Sequence, residues 1–168
     1  IKDQNGTTLT ALHSPYVPLA PTAGEWAPLE LVGLIPASVN GVPVKQVQVV
    51  ATIDRAQDTE VYLDDFEVFY ADELTENSSF ESGDTNAPPW GFWLSSSTTG
   101  TMYRTETFAH TGNASLLVDH LDRGGPTQTF RVVPGTIKGT VYYYTPEGTT
   151  TNGTIELVFN VKNAANVN

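Results

Sequence analysis

V-Y-L-D-D-F-E-V-F-Y-A-D-E-L-T-E-N-S-S-F-E-S-G, residues 61–83, is the stretch on which the fold turns. Its first part, residues 62–70, is a strand built around paired aspartates, of the kind that closes a β-sandwich. Its last part, residues 77–83, has the character of the segment that opens one. A closing signal ahead of an opening signal sets the question of strand order for the whole chain.

With 168 residues the chain suits one sandwich or barrel domain, a size at which roughly 70% of the unfolded surface is buried on folding. Charged residues are sparse at 16%, and short β-branched or aromatic runs alternate with Gly, Pro, Asn, Ser and Thr. That composition is all-β. The formal net charge of −11 disfavours a nucleic-acid partner, because binding a phosphate backbone needs a positive field. Acidity is compatible with divalent cations, with neutral glycans, or simply with a soluble secreted surface. Cysteine is absent, which excludes disulfides and thiolate metal sites. No apolar run approaches the ~20 residues of a membrane-spanning helix, and these residues show no basic-then-apolar signal-peptide pattern. The chain starts at Ile1 and not Met, as expected of a processed product or a piece of something longer. Low Lys content and a Thr/Asn-rich surface point to an extracellular setting.

Working outward from the quoted stretch, residues 8–13 alternate and follow the Asn5-Gly6 hairpin signal. Residues 14–24 contain Pro15, Pro18 and Pro21 and should be irregular. Residues 25–36 resume an apolar pattern, with Trp26 and Leu29 as core candidates. After a turn at Asn40-Gly41, residues 44–53 place Val47, Val49 and Ala51 on one face and Gln46 and Gln48 on the other. The polar residues 54–60 are expected to turn the chain into the Asp-Asp strand. Further strands are expected at 101–107, 116–120, 128–133, 140–145 and 154–161, with turns at 110–115, Pro134-Gly135 and Asn152-Gly153. Helical periodicity is nowhere convincing.

The segment 77–83, the aromatic run Trp90, Phe92, Trp93, the turn His110-Thr111-Gly112-Asn113-Ala114-Ser115 and the strand that ends at Pro134-Gly135 together resemble the first half of a carbohydrate-binding module. The resemblance is to the galactose-binding-like jelly rolls of the xylan- and glucan-binding type. The second half of that pattern, Trp26 to Leu29 followed by the Asp-Asp-aromatic strand, stands upstream. What the resemblance implies is an all-β jelly-roll β-sandwich of two antiparallel sheets in circularly permuted order, or with halves exchanged between neighbouring subunits. Residues 1–71 would be the C-terminal half of a module, 72–76 a linker and 77–168 the N-terminal half, together one module's worth of strands. No internal repeat argues for two complete domains.

The chain ends agree with cyclic order. Leu157, Phe159, Val161, Ala165 and Val167 share one strand parity, and Ile1, placed after Asn168, falls on the same parity, with Asn163 interrupting. Three arrangements follow: a permuted monomer, one period of a tandem array, or exchange of halves between copies. An incomplete sandwich exposes sheet edges that a neighbour fills by strand addition, and head-to-tail exchange builds a filament.

The resemblance also implies a structural calcium ion where opening and closing strands meet, at Glu81 and Asp65 with carbonyls near His110, Gly112 and Ser115. Strand alternation puts Asp64 and Asp65 on opposite faces, which favours Asp65. The plainer reading is that these acids accept hydrogen bonds at a sheet edge. Glycan binding would draw on flat aromatics, with Trp90, Trp93, Tyr103 and Tyr143 as the candidates and Tyr142 and Tyr144 beside them; aromatics in a sandwich are more often core. Tyr143 stands where the resembled modules often carry Trp. His13, His110 and His120 lack metal-ligand spacing, and neither a nucleophile elbow nor a Gly-rich loop opening a helix occurs, so no enzyme is expected. Sequons at Asn5, Asn77, Asn113 and Asn152 are scarcely above chance for such a composition. The expected function is a non-catalytic extracellular structural repeat or subunit that self-associates. The alternative is a glycan-binding accessory module of a polysaccharide-degrading enzyme.

Overall fold

The computed structural model describes residues 7–95 and 99–164. Asn5-Gly6 and the terminal positions Ile1, Ala165 and Val167 lie outside the described residues. In chain order the strands are β1 (Thr8–His13), β2 (Val17–Pro18), β3 (Ala27–Ile35), β4 (Ser38–Val39), β5 (Val42–Pro43), β6 (Gln46–Tyr70), β7 (Asp72–Glu73), β8 (Gly91–Leu94), β9 (Thr101–Thr105), β10 (Ser115–Arg131), β11 (Gly135–Tyr144) and β12 (Thr154–Lys162). One 3₁₀ turn, Ala20–Thr22, sits in the proline-rich segment. Ten strands form one antiparallel sheet, and β4 and β5 form a two-stranded ribbon. Asn40 and Gly41, with φ of 49° and 78°, make that ribbon's turn, the positive φ pair that the Asn-Gly dipeptide supplies most readily.

The ten-stranded sheet is organised by β6, 25 residues long, and β10, 17 residues long, which pair with each other over nearly all of β10. The early part of β6 also pairs with β12, which carries β1 on its far side, while the late part of β10 pairs with β8. The late part of β6 pairs with β11, which carries β3, while the early part of β10 pairs with β9. Two five-strand arrays thus share two long strands, in the orders β1-β12-β6-β10-β8 and β3-β11-β6-β10-β9.

The arrays meet face to face. A Cβ on Gly139 of β11 would stand 2.8 Å from Phe159 Cζ on β12, and one on Gly33 of β3 would stand 2.4 Å from Leu12 Cδ1 on β1. Between them lies one buried cluster, with Val47, Val49, Ala51, Leu157, Phe159 and Val161 from one array and Leu29, Leu31, Leu63, Phe66, Ile137 and Val141 from the other. Each such large side chain contributes about 1.5–3 kcal/mol by leaving water. The architecture is all-β and consistent with a β-sandwich.

Local expectations are corrected at several points. Residues 54–60 do not turn: β6 runs straight through them. The polar run holds the strand because its partner β10 slips register beside it, between Asp119 and Leu121, with Arg55 at φ 57° and His120 at φ 51°. Such paired bulges bend both strands without ending them. Likewise 116–120 and 128–133 are one strand, continuous through Gly124-Gly125-Pro126 because Gly125 packs directly on the β6 backbone. Asp72 and Glu73 fold back as β7 onto Phe69 and Tyr70. Trp26, expected in the core, is half-buried on the outside of its array, against His110 and Tyr144, because it precedes β3 and escapes its inward parity.

Candidate functional site

The quoted stretch folds back on itself. Asn77 clasps its own segment: its Nδ2 donates to Ser82 O (2.9 Å) and Pro88 O (3.0 Å), and its Oδ1 accepts from Ser82 N (3.0 Å). Phe80 is thereby buried beside Trp90, which stacks on Phe66 of β6 with ring centroids 4.7 Å apart. Phe66 N donates to Ser78 O at 2.8 Å, so the Asp-Asp strand and the Asn77 segment are direct neighbours.

Above this junction, three carboxylates hold residues 110–114. Asp64 Oδ2 accepts from the amides of His110 (2.7 Å) and Thr111 (3.1 Å). Asp65 Oδ2 accepts from His110 Nδ1 (2.7 Å) and Asp65 Oδ1 from Thr111 Oγ1 (2.7 Å). Glu81 Oε1 accepts from the amides of Asn113 (2.8 Å) and Ala114 (2.9 Å). Gly112, at φ 63°, is required here, since a Cβ would stand 2.3 Å from Glu81 Oε1. Ser115 Oγ closes the turn by donating to Phe108 O at 2.6 Å.

The alternation argument for Asp64 and Asp65 fails in this structure. Asp65 has φ 45°, and β6 slips register against β11 beside it, so both side chains reach the same turn. Burial pushes the Asp64 carboxyl up to about 6, against the lowering effect of the amides of Thr111, Asp65 and His110. The turn also carries an aromatic cluster: His110 stacks on Tyr142 at 3.8 Å, and Tyr144 touches Trp26, Tyr62 and Phe108.

On the outer face of the other array a groove of about 200 Å³ crosses β1, β12, β6, β10 and β8. Val50 and Val158 are in its lining, with Gln48, Asn160, His13, Glu156 and Arg123 as the polar groups and Trp93, 40% exposed, as the aromatic one. Glu156 is buried and accepts from His13 Nδ1 at 2.9 Å. Its hydrogen bond with Tyr16 pushes that phenol upward.

No protein family matches the chain, and no curated protein or solved structure is significantly similar to it.

The five residues assigned to calcium by resemblance do gather at one turn. Hard carboxylate oxygens from two segments fit that ion's chemistry. Among the described residues no three His, Asp or Glu side chains form a metal cluster, so backbone carbonyls must complete the set. Both Asp65 oxygens already accept hydrogen bonds, and an ion would exchange with them.

The four aromatic candidates do not converge. Trp90 and Tyr143 belong to the core, out of a ligand's reach, because Tyr143 shares the inward parity of Val141 on β11. Tyr103 is exposed on β9, in the opposite array from the groove that holds Trp93. Sequence reasoning missed the groove. Its visible signals were Trp93 and, on the outward parity of β6, Gln48, and a single strand does not say which side chains its neighbours add.

Proposed function

We propose that this chain is a non-catalytic, extracellular structural module, a repeat or subunit of a cell-surface or filamentous assembly, built on a jelly roll in permuted strand order. The observation that carries this reading is how the two halves interlock. Apart from the small β4–β5 ribbon and the β6–β7 hairpin, every strand of residues 1–71 pairs with a strand of residues 77–168. Beyond that ribbon and hairpin the first half therefore builds no sheet by itself, and whatever supplies the second half, the same chain or a neighbour, completes it. Exchange between neighbours preserves every such contact while linking copies. Negative-stain electron microscopy of the purified protein at high concentration should show filaments, and affinity electrophoresis on xylan, β-glucan and cellulose should show no retardation. Monomers alone would overturn the reading.

The groove favours the second reading, a glycan-binding accessory module of a polysaccharide-degrading enzyme. An exposed indole beside amide, carboxylate and guanidinium groups is suited to a sugar ring, its apolar face on Trp93 and its hydroxyls on Gln48, Asn160 and Arg123. Retardation by a polysaccharide, lost in Trp93→Ala, would select it.

Calcium belongs to the proposal as a stabiliser held by Glu81 and Asp65 with carbonyls of the 110–115 turn. Millimolar calcium is expected to raise the melting temperature by several degrees over an EDTA-treated sample, since an ion that binds only the folded state stabilises it by about 2.7 kcal/mol at a hundredfold excess over Kd. Glu81→Gln should remove most of the shift. Superimposable melts with and without calcium would exclude the ion.

A further inference from the structure

Asparagine is among the chemically labile side chains, most of all before glycine, where no Cβ hinders attack of the next backbone nitrogen on the side-chain amide. The chain has Asn-Gly pairs at Asn5, Asn40 and Asn152, of which the first lies outside the described residues. The fold puts the other two in opposite settings. Asn40 and Gly41 are both exposed, at the tip of the ribbon of β4 and β5. Each of those strands has two residues and pairs only with the other, through Ser38 with Pro43 and Val39 with Val42. A two-stranded ribbon on its own is marginal in water, so this one opens locally at little cost. Nothing lies within 4 Å of where a Cβ on Gly41 would stand, and among the described residues Gly41 N finds no acceptor. The Asn152 side chain is exposed too, but the nitrogen that would attack it is held. Gly153 is buried, its N donates to Thr151 Oγ1 at 3.0 Å, and its O accepts from Leu19 N at 3.0 Å. Leu19, itself fully buried, covers the glycine, and the next residue, Thr154, is already paired with Pro18 on one side and Asp54 on the other.

We propose that Asn40 is a site of covalent self-modification, converted to isoaspartate and aspartate in the folded protein, while Asn152 is protected by the fold. When the ribbon opens, Gly41 N loses its proton and attacks Asn40 Cγ. The N–Cγ bond forms, the Cγ–Nδ2 bond breaks, and Nδ2 leaves as ammonia, which closes a five-membered imide. Water then opens the ring. Addition at Cγ gives aspartate, and addition at the backbone carbonyl gives isoaspartate, with the side-chain methylene now in the main chain. No oxidant, metal or enzyme enters. Either product adds one negative charge to a chain already at −11. Isoaspartate lengthens the turn by one carbon, which the two-residue Asn-Gly turn does not accommodate, so the ribbon loses its register. The damage stops at the ribbon's base, where Val44 is buried and its N donates to Ala37 O at 3.0 Å, and the ten-stranded sheet does not include the ribbon. The site is independent of both the assembly and the glycan readings.

The test is to age the purified protein at mildly alkaline pH and follow both asparagines by peptide mapping with mass spectrometry, with enzymatic methylation to reveal isoaspartate. Conversion at Asn40 should outpace that at Asn152 by about tenfold or more, the effect of one held backbone hydrogen bond and burial together. The same protein aged in urea should convert both at similar rates, since the dipeptide is the same and only the fold separates the two. Aged protein carrying isoaspartate at residue 40 should keep the parent's melting curve. Equal rates in the folded protein, a difference that persists in urea, an Asn40 that stays intact while the urea sample converts, or a loss of folded protein in step with conversion would overturn the proposal.

Discussion

Gly125→Ala is expected to prevent folding, or to leave a protein destabilised by at least ~4 kcal/mol. A Cβ at this position would stand 1.8 Å from Ala51 O and 3.0 Å from Ala51 C. Both atoms are backbone of β6, the strand around which the two arrays are arranged, so relief by a side-chain rotation is impossible. β10 would have to leave either β6 or β8, and with it goes the pairing that joins the halves of the chain. The φ of 152° adds strain for any L side chain. Gly148→Asn is the control: φ is 78° but nothing lies within 4 Å, and asparagine tolerates this region, so the cost should stay under ~1 kcal/mol. Urea denaturation measures both. A Gly125→Ala variant with the parental midpoint would mean that β10 does not approach β6 as described.

Asp64→Ala should cost about 3 kcal/mol, because three amides, those of Asp65, His110 and Thr111, lose an acceptor in a place that water does not reach. Hydrogen exchange at His110 and Thr111 should quicken more than elsewhere, which distinguishes release of the turn from general loosening. The same carboxyl gives a pH dependence of definite sign. Its pKa is about 6 in the folded protein against an ordinary 3.8, so between these values the folded state binds the extra proton. This group's contribution is therefore most favourable below about pH 4, declines as pH rises to about 6 and is flat beyond, by at most about 3 kcal/mol. Thermal melts of the parent and of Asp64→Asn from pH 4 to pH 7 isolate it, since the other carboxylates are common to both. A difference between the two that does not vary with pH would refute the assignment.

Much of this architecture is legible from residue order. The strand at Thr8–His13, the Asn40-Gly41 turn, the inward parity of Val47, Val49 and Ala51, and that of Leu157, Phe159 and Val161 all follow from period-two alternation and turn chemistry. These are properties of a few adjacent residues, and neighbours elsewhere in the fold do not change them. The closeness of the Asp-Asp strand to the Asn77 segment also answers to the order of motifs, through the Phe66–Ser78 bond.

What residue order alone determined was therefore the class of fold, the positions of most strands and which side of each faces inward, because alternation is written locally. Tertiary structure decided that β6 and β10 run unbroken through polar and glycine-proline stretches, since their bulges exist only as mismatches with a partner strand. It also brought Asp64 and Asp65 to one turn by a single positive φ, and built the Glu156 groove from five strands. Those outcomes depend on contacts between residues far apart in the chain, and no local pattern encodes them.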